Sequence, residues 1–136
     1  HYPPHGSRGA GPGRMSGYGR AIPEALARAA RETVVALQIE TVEALDRVAE
    51  IAAVPGVDLL FIGPGDLGVG LAASGRSTTV AEAIDTILTA CTAAGRPAGI
   101  FTMTTEALVP HAGRIALGIV GSDATILVAG FDAAFA

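Results

Sequence analysis

Lysine is absent from this sequence: its nine basic residues are all arginine. A Schiff-base lysine and a Walker A lysine are therefore excluded within the segment. Cysteine is nearly absent too. The single Cys91 rules out an intrachain disulfide and a cysteine-based zinc site, and it suits a reducing cytosol, the location expected for the chain. Cys91 falls on the apolar stripe of a predicted helix, where a small buried hydrophobe is expected rather than a nucleophile. Aromatics make up 4% of residues, so the core must be built from Ala, Val, Ile and Leu. No apolar run approaches the roughly 18 residues that cross a bilayer. The opening residues lack the basic and apolar regions of a signal peptide. They also lack an initiator Met, so the chain is expected to be an excerpt or a processed product.

What is present is core-forming material: 136 residues, 50% hydrophobic and 16% charged. That length suits one modest domain. The net charge of −4 is unevenly spread, with five Arg and one Glu in residues 1–31 and four Arg with twelve acids after them. The early arginines are spaced out and have no aromatic platform or reader motif beside them. Nucleic acid is therefore not an expected partner.

Residues 1–20, rich in Gly, Pro, Ser and Arg, read as a loop. Pro23 suits a first helical turn, and residues 21–33 are predicted helical. From residue 34 to 136 the pattern repeats as four β–α units. Apolar runs at 34–40, 59–63, 98–102 and 115–120 alternate with helices predicted at 42–53, 79–95, 104–112 and 124–135. Thr79 with Glu82 three residues later is a capping-box signature. Wholly apolar strands between amphipathic helices argue for an α/β fold with parallel strands. Four units make half of a (β/α)8 TIM barrel, whose usual size is about 250 residues. A four-stranded piece leaves two edges unpaired, which points to something supplied from elsewhere.

Glu40 closes the first strand and Asp66 lies just past the second. Both are expected at the C-terminal end of adjacent parallel strands, where barrel enzymes place their sites. Two carboxylates there can hold a hard divalent cation whose remaining positions go to water and substrate oxygens. On these residues alone an exposed acid at a strand end is the commoner reading. Gln38, two residues before Glu40, faces the same side and needs a polar partner. The turn Ile62-Gly63-Pro64-Gly65-Asp66-Leu67 opens backbone N–H groups toward an anion, although an ordinary β–α turn also favours Gly and Asp.

Taken in order, Tyr2-Pro3-Pro4-His5-Gly6-Ser7-Arg8-Gly9, Gln38-Ile39-Glu40-Thr41, Gly56-Val57-Asp58, Phe61-Ile62-Gly63-Pro64-Gly65-Asp66-Leu67 and Gly121-Ser122-Asp123 resemble the HpcH/HpaI aldolase/citrate lyase family, specifically its C-terminal half. The resemblance implies an oligomeric (β/α)8 barrel that often exchanges its last helix between subunits. It implies a metal-dependent class II pyruvate aldolase that cleaves 2-oxo-4-hydroxy acids into pyruvate and an aldehyde, through an enolate on Mg²⁺, Mn²⁺ or Co²⁺. By the same resemblance Glu40 and Asp66 are the metal ligands. Gln38 lies beside pyruvate, the amides of Gly65 and Asp66 receive its carboxylate, and Phe101 and Thr102 line the aldehyde side.

The family's histidine base and its enolate-steadying arginine come from strands that precede the Tyr-Pro-Pro loop, so no catalytic base or arginine is assigned here. His1, His5 and His111 read as loop or helix surface residues, and Arg8 is not taken as the replacement arginine. The expected partner is thus another copy of the chain or a complementing N-terminal half. Two alternatives stand beside the aldolase: a truncated remnant stabilised by association, and an acyl-CoA lyase of the citrate lyase type. Gly68-Val69-Gly70-Leu71-Ala72-Ala73 imitates a dinucleotide turn, but Asp66-Leu67 separates it from the strand and no acid closes a second strand at the required distance. It is read as a decoy.

Overall fold

The computed structural model describes residues 1–136, which form two compact units, His1–Val34 and Val35–Ala136. In the first unit a short 3-10 turn at Arg14–Ser16 precedes helix α1, Ile22–Glu32. Pro23 lies in the first turn of α1, where its missing N–H costs nothing. The buried Ser16 organises the turn: its hydroxyl donates to the carbonyls of Gly11 and Gly13 at 3.0 Å and accepts from the Gly19 amide. Arg8 lies 4.8 Å over the Tyr2 ring, a cation–π contact.

The second unit is a sheet of four parallel strands in the order β1 (Ala36–Ile39), β2 (Leu59–Ile62), β3 (Ala98–Thr102) and β4 (Leu117–Val120). Its helices are α2 (Val42–Asp46), α3 (Val48–Ala52), α4 (Pro64–Ser74), α5 (Val80–Ala93), α6 (Thr105–Leu108) and α7 (Asp123–Phe135). The β–α order is the one expected. Strand alternation sends Ile39, Leu60, Ile62, Ala98 and Ile100 into one core with Leu67 and Leu71 of α4 and Ala83, Ile84, Ile87, Leu88 and Cys91 of α5. Burial pushes the Cys91 thiol up, as a packing residue requires and a nucleophile does not.

Two expectations change. The stretch 42–53 is not one helix. It breaks at Arg47, which has φ −110° and ψ 15°, into α2 and α3, while Val42, Leu45, Val48 and Ala52 all remain buried. The second change is α4, a helix that takes in most of the turn read at 62–67 and continues through residues to which no element was assigned. Pro64 starts α4, and Leu67 and Leu71, one turn apart, anchor it in the core. Its glycines permit close approach: a Cβ on Gly68 would lie 3.2 Å from the Val80 side chain, and one on Gly70 would lie 3.5 Å from Val42. The dinucleotide-like glycines are thus helix-packing residues.

The capping box at α5 is present. Thr79 accepts from the Glu82 amide at 3.2 Å, and Glu82 Oε2 accepts from the Thr79 amide at 2.8 Å. β4 and α7 differ from the rest. Leu117, Ile119 and Val120 are exposed, as are Ile126, Leu127, Val128, Phe131 and Phe135. No helix is long and apolar enough to cross a membrane.

Two stability tests follow from this packing. Leu60→Ala, at a fully buried position, is expected to lower unfolding free energy by about 2–5 kcal/mol in urea titration. The backbone bond from Thr79, followed by its side-chain bond, holds the Glu82 carboxyl below the usual carboxylate range. A depressed folded pKa stabilises the fold above the unfolded pKa and is lost as pH falls through the folded value. Glu82→Gln is therefore expected to be less stable than wild type at neutral pH, with the gap closing as pH falls through the carboxylate range in urea titrations run at stepped pH.

Candidate active site

Because all four strands are parallel, their C-terminal ends share one edge of the second unit. Glu40 directly follows β1, and Asp66 lies in the first turn of α4 directly after β2. Ile39 pairs with Ile62, and the Gly63 amide donates to the Ile39 carbonyl at 3.1 Å, so the two strand ends are locked level. Glu40 and Asp66 are thereby brought to the same end of the sheet. No group of three or more His, Cys, Asp or Glu side chains gathers anywhere in the chain.

Gln38 and Glu40 share a face of β1, as alternation requires, and Gln38 Nε2 donates to Glu40 Oε2 at 2.5 Å. Glu40 Oε1 is left free to bind. Gly63 flanks the pair: a Cβ built there would lie 2.8 Å from Gln38 Nε2 and 3.1 Å from Glu40 Cβ. The amides of Gly65 and Asp66, in the first turn of α4, have no intrahelical carbonyl to reach. Gly65 is exposed, and a Cβ on it would meet nothing within 4 Å. Both amides are open to an anion, and the helix dipole favours one.

The register extends this face across the sheet. Gln38 pairs with Phe61, Phe61 with Gly99, and Gly99 with Leu117, while Phe101 pairs with Ile119. A Cβ on Gly99 would lie 2.8 Å from the Phe61 ring, so that ring lies across the glycine beside Gln38. Phe101 is half-buried on this same face. Thr102 is not on it. Alternation turns its side chain to the helix-covered side with Ala98 and Ile100, where it is buried and Oγ1 donates to the Thr104 carbonyl at 3.0 Å. That placement removes Thr102 from the lining and makes it a structural residue.

His111 ends the short 3-10 turn after α6, on the way back to the start of β4 and away from the strands' C-terminal ends. His1, His5 and Arg8 belong to the first unit. A recess of about 850 Å³ lies at the opposite end of the sheet, lined in part by Thr89, Arg96 and Arg114. Both guanidinium groups there are already engaged. Arg96 bonds the carbonyls of Ala52 and Val54, while Arg114 bonds Asp85 and Thr89.

Four β–α units with polar groups at the strands' C-terminal ends define half of a (β/α)8 barrel of the enzyme type. The profile of the HpcH/HpaI aldolase/citrate lyase family matches residues 1–128, and the chain belongs to that family. It is 41% identical over 134 residues to a hydroxypyruvate/pyruvate aldolase of Deinococcus radiodurans, covering 93% of this chain and 47% of that protein. It is 40% identical over 140 residues to a 4-hydroxy-2-oxo-heptane-1,7-dioate aldolase of Salmonella arizonae, covering 97% and 52%. The crystal structure of a family member from Burkholderia cenocepacia superposes with a TM-score of 0.82 at 34% identity, covering 96% of this chain and 52% of that one. The chain thus spans about half the length of these relatives.

The placement of Thr102 predicts a separation of effects. Thr102→Val, which keeps the shape and strands the Thr104 carbonyl, is expected to cost about 1 kcal/mol of stability in urea unfolding. The circular dichroism spectrum of the folded variant is expected to match that of wild type.

Proposed function

We propose that this chain is the metal-binding half of a divalent-metal-dependent carbon–carbon lyase, a class II pyruvate aldolase acting on 2-oxo-4-hydroxy acids. The observation that carries the reading is that Glu40, bonded by Gln38, and Asp66 lie at the same end of adjacent parallel strands. The activities of the relatives, aldolases of hydroxypyruvate/pyruvate and of a 4-hydroxy-2-oxo acid, support the substrate class.

The donor set fits the cofactor. Mg²⁺ or Mn²⁺ takes oxygen ligands, commonly one or two protein carboxylates, with waters and substrate oxygens filling the remaining positions. Glu40 Oε1 and the Asp66 carboxylate supply that pattern, and Co²⁺ accepts it as well. The bound cation would polarise the 2-oxo group and favour negative charge on its oxygen. The chain's own residues bind and orient. The open amides of Gly65 and Asp66 receive the substrate carboxylate at the start of α4. Gln38 holds Glu40 and stands beside the bound acid. Phe101 offers an apolar wall on the side where the aldehyde departs.

In the cleavage direction the C3–C4 bond breaks as the 4-hydroxyl loses its proton. Its electron pair passes to the pyruvate fragment, which is then protonated at C3. Neither the base for that proton nor an arginine steadying the charge is found at this edge of the second unit. On this reading a complementing N-terminal half supplies both, within a homo-oligomer. The exposed apolar strand β4 and helix α7 support association of that kind. A cytoplasmic location completes the reading, and the free thiol of Cys91 suits it.

The test is a Mn²⁺ titration of the folded chain with and without pyruvate. Wild type is expected to bind Mn²⁺ more tightly when pyruvate is present. Glu40→Gln and Asp66→Asn are each expected to lose that binding while retaining the wild-type circular dichroism spectrum. A folded wild-type chain that binds no Mn²⁺ under either condition would sink the reading.

A further inference from the structure

We infer that Gly63 is a positioning residue: the space left by its missing side chain lets Gln38 brace Glu40 for the metal. This inference rests on the proposed metal site and adds a residue to it. Glycine is commonly retained where φ is positive, but Gly63 has φ −102°, on the side any L residue adopts. Backbone conformation therefore does not call for glycine here. Space does. A Cβ on Gly63 would lie 2.8 Å from Gln38 Nε2, 3.1 Å from Glu40 Cβ and 3.3 Å from Glu40 Oε2. All three atoms belong to the Gln38–Glu40 pair. The position is buried, and it directly follows β2 level with the end of β1, so backbone retreat is blocked by the Gly63–Ile39 bond.

Which atom yields decides what is damaged. Gln38 Nε2 is the far end of a flexible side chain, so it moves at little cost to the fold. Glu40 Cβ is fixed to the strand and can give only a few tenths of an ångström. A methyl at Gly63 therefore expels the Gln38 amide, breaks its 2.5 Å bond to Glu40, and leaves the Glu40 carboxylate free to rotate. The loss falls on the orientation of a ligand rather than on the core. Groups that orient ligands from outside the metal's own shell typically change affinity by about 10–100-fold.

The experiment uses the intact chain and four proteins: wild type, Gly63→Ala, Gln38→Ala and the double variant. Mn²⁺ alone is the probe. Thermal melting of wild type and Gly63→Ala is expected to coincide. In the metal-free chain the Gln38 side-chain amide signal in a ¹H–¹⁵N spectrum is expected to move to the free-amide position in Gly63→Ala. Mn²⁺ affinity is expected to fall about tenfold or more in Gly63→Ala and in Gln38→Ala. The double variant should bind no more weakly than Gln38→Ala, because both changes remove the same brace. An unmoved Gln38 signal, wild-type Mn²⁺ affinity in Gly63→Ala, or additive losses in the double variant would each overturn the inference with the metal site intact. An unfolded Gly63→Ala chain would overturn it too, since the methyl would then harm the fold rather than the site. Absence of Mn²⁺ binding by wild type is a different result and removes the metal reading itself.

Discussion

A parallel strand must be covered on both faces, because no neighbouring hairpin turns one face to water. In the second unit this requirement is met on one side only. Ile39, Leu60, Ile62 and Ile100 are almost fully removed from solvent beneath α4 and α5. The opposite face, with Gln38, Phe61, Phe101, Leu117 and Ile119, has no layer of helices over it. The covered face gives the unit its stability. The other leaves polar groups at the strand ends open, since such groups can reach a ligand only where no helix covers them.

The alternation that separates the two faces also sorts the candidate residues. Gln38 and Glu40, two apart, fall together, and Phe101 joins their face. Thr102, one residue from Phe101, falls on the other face and is spent on a turn. A period of two makes adjacent residues on a strand poor candidates for a shared role, however close they lie in sequence.

Much of this was legible beforehand. The strands were legible because Leu59-Leu60-Phe61-Ile62 and Ala98-Gly99-Ile100-Phe101-Thr102 are short apolar runs between turn signals, and the α5 cap because Thr79 and Glu82 have the right spacing. Helix α4 was not, because three glycines in Gly65-Asp66-Leu67-Gly68-Val69-Gly70 carry the propensity of a loop. Tertiary packing overrides that propensity: Leu67 and Leu71 anchor the helix, and Gly68 and Gly70 let it lie against Val80 and Val42. Packing of this kind is non-local and leaves no periodicity to read. The break at Arg47 was hidden for the converse reason, since the apolar spacing continues through it unbroken. The positions of Glu40 and Asp66 at the strand ends were legible from the same pattern of strand and turn. The part of Gly63 was not, because a missing side chain has meaning only once its neighbours are placed.

On the proposed reading, the chemistry of the whole fold divides unequally between its halves. The groups that hold charge lie in this chain: the two carboxylates and the open amides at the start of α4. The groups that move a proton are not found at these strand ends of the second unit, whose one histidine, His111, lies away from them, and lysine is absent altogether. Electrostatic stabilisation and proton transfer contribute separately to a transition state. A chain holding one of them can keep ligand affinity while lacking turnover, because affinity depends on the carboxylates and amides and turnover also requires the base. Binding to Mn²⁺ and pyruvate is therefore the property by which this chain's own residues are to be judged, and turnover judges its association with the rest of the barrel.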